Sequence, residues 1–166
     1  QVFAPDLSVS IPTQSWTLTA GSTTNITFNV KNVGSAVATA PLSLTFTMPV
    51  NFTTNPASFT TNGWACITTG TTVTCSYTSN YAVGASTSLV IPVHPSNAAA
   101  GAVNPSFLIN ISQATGETVL SNNIGTINYN GVVNAGNLLL NVKALLQGAY
   151  DATSGLLRDD LRTKNL

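Results

Sequence analysis

Gly63-Trp64-Ala65-Cys66-Ile67-Thr68-Thr69-Gly70-Thr71-Thr72-Val73-Thr74-Cys75-Ser76-Tyr77 holds both cysteines of the chain and one of its two tryptophans. Two short β-rich runs flank Gly70-Thr71. That arrangement predicts a two-residue hairpin with glycine at the first central position, a type II′ turn. The facing pairs are then Thr69 with Thr72, Thr68 with Val73, Ile67 with Thr74, Cys66 with Cys75 and Trp64 with Tyr77. The pair closing the turn exchanges backbone hydrogen bonds. Bonded and non-bonded pairs alternate outward, so Cys66 meets Cys75 at a non-bonded position. Opposed α-carbons there stand about 4.5 Å apart, inside the window of roughly 4.4–6.8 Å that a disulfide spans. A Cys66–Cys75 bridge is therefore predicted. Trp64, Cys66, Cys75 and Tyr77 share one face, because side chains repeat every second residue. That face is the expected packing centre of a β domain.

The same alternation extends on both sides of the hairpin. Leu7, Val9 and Ile11 share a face, and Ala20-Gly21-Ser22 turns the chain. Ile26, Phe28 and Val30 are predicted inward, with Asn25, Thr27, Asn29 and Lys31 in solvent. Leu42, Leu44, Phe46 and Met48 form another inward row, as do Leu89, Ile91 and Val93, then Phe107, Ile109 and Ile111, then Ile127 and Tyr129. Residues 51–61 read as irregular because Pro56 limits strand formation, and Pro92 suggests an edge or a bulge. Residues 97–104 read as a loop of small residues. Eight or nine short strands with no amphipathic helix predict an all-β fold, two antiparallel sheets packed face to face, with a closed barrel as the alternative.

Composition narrows the setting. Apolar residues make up 43% of the 166, enough for a core, while charged residues make up only 6% and the net charge is zero. Ordinary soluble domains carry about 25% charged residues. The surface must be covered by Thr, Ser, Asn and Gly. Zero net charge gives no field to steer the chain toward nucleic acid or an anionic membrane, and no apolar run is long enough to span a bilayer. A disulfide implies an oxidising compartment, and Gln1 is the expected first residue of an exported chain after signal removal. The chain is expected outside the cell or on its surface.

Beyond Tyr129 the composition changes. Residues 130–137, rich in Asn and Gly, are predicted to be a linker. Residues 138–166 follow as a separate segment: a long strand with Leu138, Leu140, Val142, Ala144 and Leu146 on one face, then a polar stretch with Asp151, Arg158, Asp159, Asp160, Arg162 and Lys164 that suggests a short helix around Leu156 to Leu161. One strand and a turn of helix cannot make a core. This tail is expected to be an assembly strand or the start of a further module.

Asp6-Leu-Ser-Val, Ala20-Gly-Ser with Thr27-Phe-Asn-Val-Lys-Asn-Val-Gly34, Gly63-Trp-Ala-Cys66, Val73-Thr-Cys75, Gly84-Ala-Ser-Thr-Ser-Leu-Val-Ile91 and Ser121-Asn-Asn123 together resemble the immunoglobulin-like "conserved repeat domain" of bacterial surface proteins. The likeness covers residues 5 to 129. It implies a β-sandwich spacer, repeated in arrays that extend adhesins from the cell. Asn141-Val-Lys-Ala-Leu-Leu-Gln-Gly-Ala-Tyr150 with Gly155-Leu-Leu-Arg-Asp-Asp-Leu-Arg162 is similar to the opening of a module in large secreted proteins of the Bacteroidetes, which often leave through the type nine secretion system.

No residue set predicts catalysis. His94 is the only histidine and has no Cys, Ser or acid placed to activate it, there is no Gly-x-Ser-x-Gly elbow, and the five acids are scattered. No metal-ligand spacing occurs, and Asp151, Asp159 and Asp160 match no calcium loop. No cofactor is expected. Asn25, Asn51 and Asn110 head Asn-x-Ser/Thr sequons and are candidate glycosylation sites, although a chain this rich in Asn and Thr also produces sequons by chance. The expected function is a non-enzymatic extracellular module or subunit of an adhesin or fibre. Its expected partners are other copies or neighbouring modules, joined by strand addition through residues 138–147. The alternatives are a carbohydrate-binding module, with Trp16, Trp64, Tyr77 and Tyr81 as a stacking platform for surface glycans, and an accessory domain of a secreted multidomain enzyme.

Overall fold

The computed structural model describes residues 3–13 and 17–134. Among them are twelve strands: β1 (Leu7–Ser10), β2 (Thr17–Ala20), β3 (Thr24–Asn32), β4 (Leu42–Thr47), β5 (Phe52–Thr54), β6 (Ser58–Thr61), β7 (Trp64–Thr69), β8 (Thr72–Tyr77), β9 (Ser86–Pro95), β10 (Ser106–Ile111), β11 (Ile124–Asn128) and β12 (Gly131–Asn134). One sheet has the order β1-β3-β9-β5 and the second β11-β10-β4-β8-β7-β6, and every pairing within them is antiparallel. β2 and β12 form a third, parallel pair. The barrel alternative is thereby replaced by open sheets.

The sheets face each other because each strand alternates apolar and polar residues. Ile26, Phe28 and Val30 on β3 and Leu89, Ile91 and Val93 on β9 are fully buried against Leu44, Phe46, Ile109 and Ile111 of the opposite sheet. Phe28 and Phe46 stack across the interface with ring centroids 6.0 Å apart, and Phe46 stacks on Phe107 at 5.6 Å. Each such ring contributes about 1.5–3 kcal/mol by leaving water.

The central hairpin forms in the predicted register, with Thr69 opposite Thr72 and Cys66 opposite Cys75. Gly70 takes φ 60°, the left-handed conformation required at the first position of a type II′ turn. The disulfide is formed, with α-carbons 4.0 Å apart, and both sulfurs belong to buried residues. Trp64 is fully buried and stacks on Tyr77 at 5.2 Å.

Three expectations are corrected. Residues 51–61 are not irregular: β5 and β6 form on either side of Pro56. β5 ends where its partner runs out of donors. The Asn55 N–H donates to the Pro92 carbonyl at 3.0 Å, and Pro92 has no N–H to return the bond. Ile11 does not continue the inward row of Leu7 and Val9; it is exposed, because β1 stops at Ser10 and the chain leaves that sheet to become β2. Residues 131–134 are not linker. Val132 is buried, its N–H donates to Ala102 and its carbonyl accepts from Gly101, both at 2.9 Å, while β2 lines the other side. Asn and Gly read locally as turn residues, but long-range pairing decides here. The sandwich therefore extends past 129 to 134 at least. The predicted strand at 138–147 and the helix near 156–161 lie outside the described residues, as does Trp16.

Beyond β5, the edge of β9 has side chains in place of a strand: the Val90 N–H donates to the Thr61 hydroxyl at 3.0 Å and the Asn62 amide donates to the Ser88 carbonyl at 2.6 Å. This blunts an edge that carries no charge. The disulfide makes a separate contribution, since it constrains the unfolded chain. Cys66→Ala/Cys75→Ala should lower unfolding stability by at least roughly 2–3 kcal/mol in a urea titration; an unchanged midpoint would contradict the clamp role.

Candidate functional site

Two poles of the sandwich, rather than a cleft, collect its specific polar contacts. At the leading pole the incoming chain is tied down residue by residue. The Ala4 carbonyl accepts from the N–H groups of Ser35 (2.9 Å) and Ala36 (3.1 Å), and the Asp6 carbonyl accepts from Val33 at 2.7 Å. Gly34 is required at this contact, because a β-carbon there would lie 2.5 Å from the Ala4 carbonyl oxygen and the Asp6 nitrogen.

Two buried polar side chains anchor the same pole. Asn32 Oδ1 accepts from the N–H groups of Asp6 and Gly34, and its Nδ2 donates to the carbonyls of Ala36 and Tyr81. Glu117 is 2% exposed and lies 110 residues from Leu7, whose N–H donates to its Oε1. Its Oε2 accepts from the Ala114 N–H at 2.7 Å and the Asn123 amide at 3.2 Å. Asn122 donates to Asp6 Oδ1 at 2.7 Å, and the Val9 N–H donates to the Asn122 carbonyl at 2.8 Å. β1 is thus bonded both to β3 and to the loop before β11.

Tyr81 completes the pole. Its hydroxyl donates to the Val30 carbonyl at 2.9 Å and lies 2.7 Å from the Thr87 hydroxyl. Burial pushes the Tyr81 phenol above its usual value, the Thr87 contact opposes that shift and Tyr77 adds to it. Burial alone raises the phenol of Tyr129.

At the trailing pole, Gly131 to Asn134 pair with Thr17 to Ala20, and Leu18 and Val132 close the end of the core. An open groove of about 510 Å³ lies beside this pole, lined by residues 49–52 and 98–106, Val50, Asn51, Ala98 and Val103 among them. None of its lining residues is titratable.

The expected chemistry-bearing residues fall as follows. Asn25, Asn51 and Asn110 are all exposed. His94 lies on β9 with Nδ1 3.2 Å from the Thr23 hydroxyl. Among the described residues no three His, Cys, Asp or Glu side chains gather as a metal site. Trp64 and Tyr81 are 0% and 2% exposed, so neither can offer a ring to a sugar, and the proposed platform loses two members to the core. Among the described residues no helix is long and apolar enough to cross a membrane. Sequence reading missed Glu117 and Asn32, because a lone acid and one Asn among many carry no local pattern. The scarcity of acids, Asp6 and Glu117 alone among the described residues, was the available signal.

No family model matches the sequence, and no curated protein matches it. Similarity emerges in three dimensions. The CARDB domain of a Pyrococcus furiosus protein, solved in complex with di-metal ions, superposes with a TM-score of 0.53 at 15% identity, covering 80% of this chain and 94% of that one. A cohesin module from a Clostridium perfringens family 33 glycoside hydrolase gives 0.48 at 7% identity over 80% of this chain and 99% of that one. The major pilin subunit BcpA of Bacillus cereus gives 0.40 at 13% over 78% of this chain and 39% of that one. The first of these shows a shared all-β fold.

Two outcomes follow from the leading pole. Glu117→Gln places an amide nitrogen against a buried donor, and should lower stability by about 1–3 kcal/mol while speeding hydrogen exchange at the Leu7 amide; unchanged exchange there would contradict the anchor. The raised phenols of Tyr81 and Tyr129 favour the folded state only while the unfolded phenols stay protonated. Stability should therefore hold below about pH 10 and fall as the pH rises through it. A urea midpoint identical at pH 8 and about pH 11 would contradict that assignment.

Proposed function

We propose that this chain is a non-enzymatic, extracellular structural module that holds its neighbours apart in an adhesin or fibre. One observation carries the reading: the described chain comes in at one pole and leaves at the other, and it is fastened at both. β1 runs away from the leading pole, where Leu7 pairs with Asn32, and β12 leaves at the opposite end, beyond Tyr129. β3, nine residues long, sets a separation of about 30 Å at the strand rise of about 3.3 Å per residue.

The chemistry of the surface supports the same reading. Asp6, Lys31 and Glu117 are the only charged residues described, and Glu117 is buried. A domain so poor in ionisable groups has little with which to run acid–base or nucleophilic chemistry. The buried disulfide supports an oxidising setting outside the cytosol.

Assembly falls to residues 138–147 in this proposal. Their apolar alternation, Leu138, Leu140, Val142, Ala144 and Leu146, suits addition as a strand to the sheet edge of a neighbouring copy. Because β12 belongs to the sandwich, the informative truncation is after Asn134. The full chain should form dimers or larger species by light scattering, and the chain ending at Asn134 should be a folded monomer. Monomers in both cases would overturn strand addition. Tandem copies whose maximum dimension in small-angle scattering fails to grow by a constant increment would overturn the spacer itself.

A further inference from the structure

We infer that the groove at the trailing pole is a dock for the chain's own next segment, with Leu138-Leu139-Leu140 as its occupant. The inference goes beyond the spacer reading and does not depend on strand addition. It assigns to the groove a contact made within one chain, which fixes the direction in which the chain leaves the module.

The groove carries the apolar surface that such a contact needs. Val103 is 77% exposed and Val50 75%, the two highest values among the large apolar side chains described. Both line the groove, together with Pro49, Ala98 and Ala102. A single exposed valine is ordinary, but two that share one concave surface form a patch that marks a contact site.

The walls are held before anything binds. Asn51 and Asn104 take left-handed conformations, φ 71° and 51°, which asparagine adopts more readily than most residues with a side chain. The Asn51 carbonyl accepts from the Ser96 N–H at 2.9 Å, and the Asn104 N–H donates to the Asn130 carbonyl at 3.4 Å. The volume of about 510 Å³ is that of a preformed ligand site. No lining residue is charged, so the occupant that fits is uncharged and apolar.

The chain supplies such an occupant beside the groove. β12 runs along the groove wall: Gly131 bridges to Val103, and the Val132 N–H and carbonyl bond to Ala102 and Gly101. Beyond Asn134 come Ala135, Gly136 and Asn137, then the leucines at 138, 139 and 140, and the first charge is Lys143. The four residues from 135 to 138 reach at most about 14 Å, and Gly136 lets the chain turn within that span. A tether this short gives an effective concentration in the mM range. The exposed Phe3 of a neighbouring copy would have to match that concentration to compete. Docking uses Leu138 to Leu140 and leaves Val142, Ala144 and Leu146 for the edge of a neighbouring copy.

The test is NMR on the full chain with labelled valine and leucine methyl groups. Nuclear Overhauser contacts should join the Val50 and Val103 methyls to those of Leu138, Leu139 and Leu140. Backbone order parameters at these leucines should be about 0.85, as in a rigid sheet. The contacts should keep their full intensity when labelled chains are mixed into a large excess of unlabelled ones. Val103→Asp puts a charge in the groove at an exposed position; it should abolish the contacts and lower the order parameters below about 0.6. Val50→Asp should do the same, and replaces it if Val103→Asp does not fold. Ile67→Asp, at a position exposed on the six-stranded sheet, should change neither. Wild-type leucines with order parameters below about 0.6 overturn the dock, as do missing contacts. Contacts that fade in the mixture, or groove contacts to Phe3 instead, give the groove to a neighbouring copy and overturn it too. Strand addition is read separately, by light scattering. Dimers without the leucine contacts leave strand addition standing and remove the dock, and monomers with the contacts do the reverse.

Discussion

The pairing of β12 with β2 is the constraint on which the rest of the architecture depends. The first strand leaves its sheet after Ser10, and the last described strand is the partner it finds. Without that pair, Leu18 and Val132 would face water, the end of the core below Phe107 and Tyr129 would open, and the chain would leave without being fastened. Phe107 and Tyr129 meet edge to face at 5.8 Å under this cover. The parallel pair is short, but it joins segments more than a hundred residues apart, so it closes the domain as well as the sheet.

A second constraint follows from the composition. With so few charges, the sandwich cannot protect its edges with lysines or fix its loops with ion pairs. Neutral groups take both roles. Thr61 and Asn62 occupy the edge of β9, and Asn32 makes four hydrogen bonds that hold two loops and the incoming chain. Asp6, which accepts from Asn122, and Glu117 are the exceptions, and Glu117 is buried with its oxygens facing donors. A buried polar group with its partners in place specifies one arrangement of the loops around it, since removing a partner costs more than the bond contributes.

Much of the sandwich was legible in the residues. The hairpin register, the disulfide and the inward rows on β3, β4, β9 and β10 all follow from a period of two and one glycine turn, which are local rules. What was not legible is non-local. Gly131-Val-Val-Asn134 has the composition of a linker and becomes a strand only because β2 and Gly101-Ala102 lie on either side. Residues 52–54 and 58–61 look broken by Pro56, yet each finds a partner. Trp64 was legible as part of the packing centre on the hairpin face, whereas Tyr81, outside any inward row, finds its buried place only once the two sheets pack. Glu117 is the clearest case: its partners at Leu7, Ala114 and Asn123 come together only when the fold is complete.

The central claim is that a fastened chain crosses the sandwich from pole to pole. Double electron–electron resonance between spin labels carried by unnatural amino acids at Ser35 and Asn130, in the oxidised full chain, measures it directly. The account predicts a single narrow distance of about 30 Å or more, the length that β3 sets. A distance below about 15 Å, less than half that length, would put the points where the described chain enters and leaves the sandwich at one pole and contradict it.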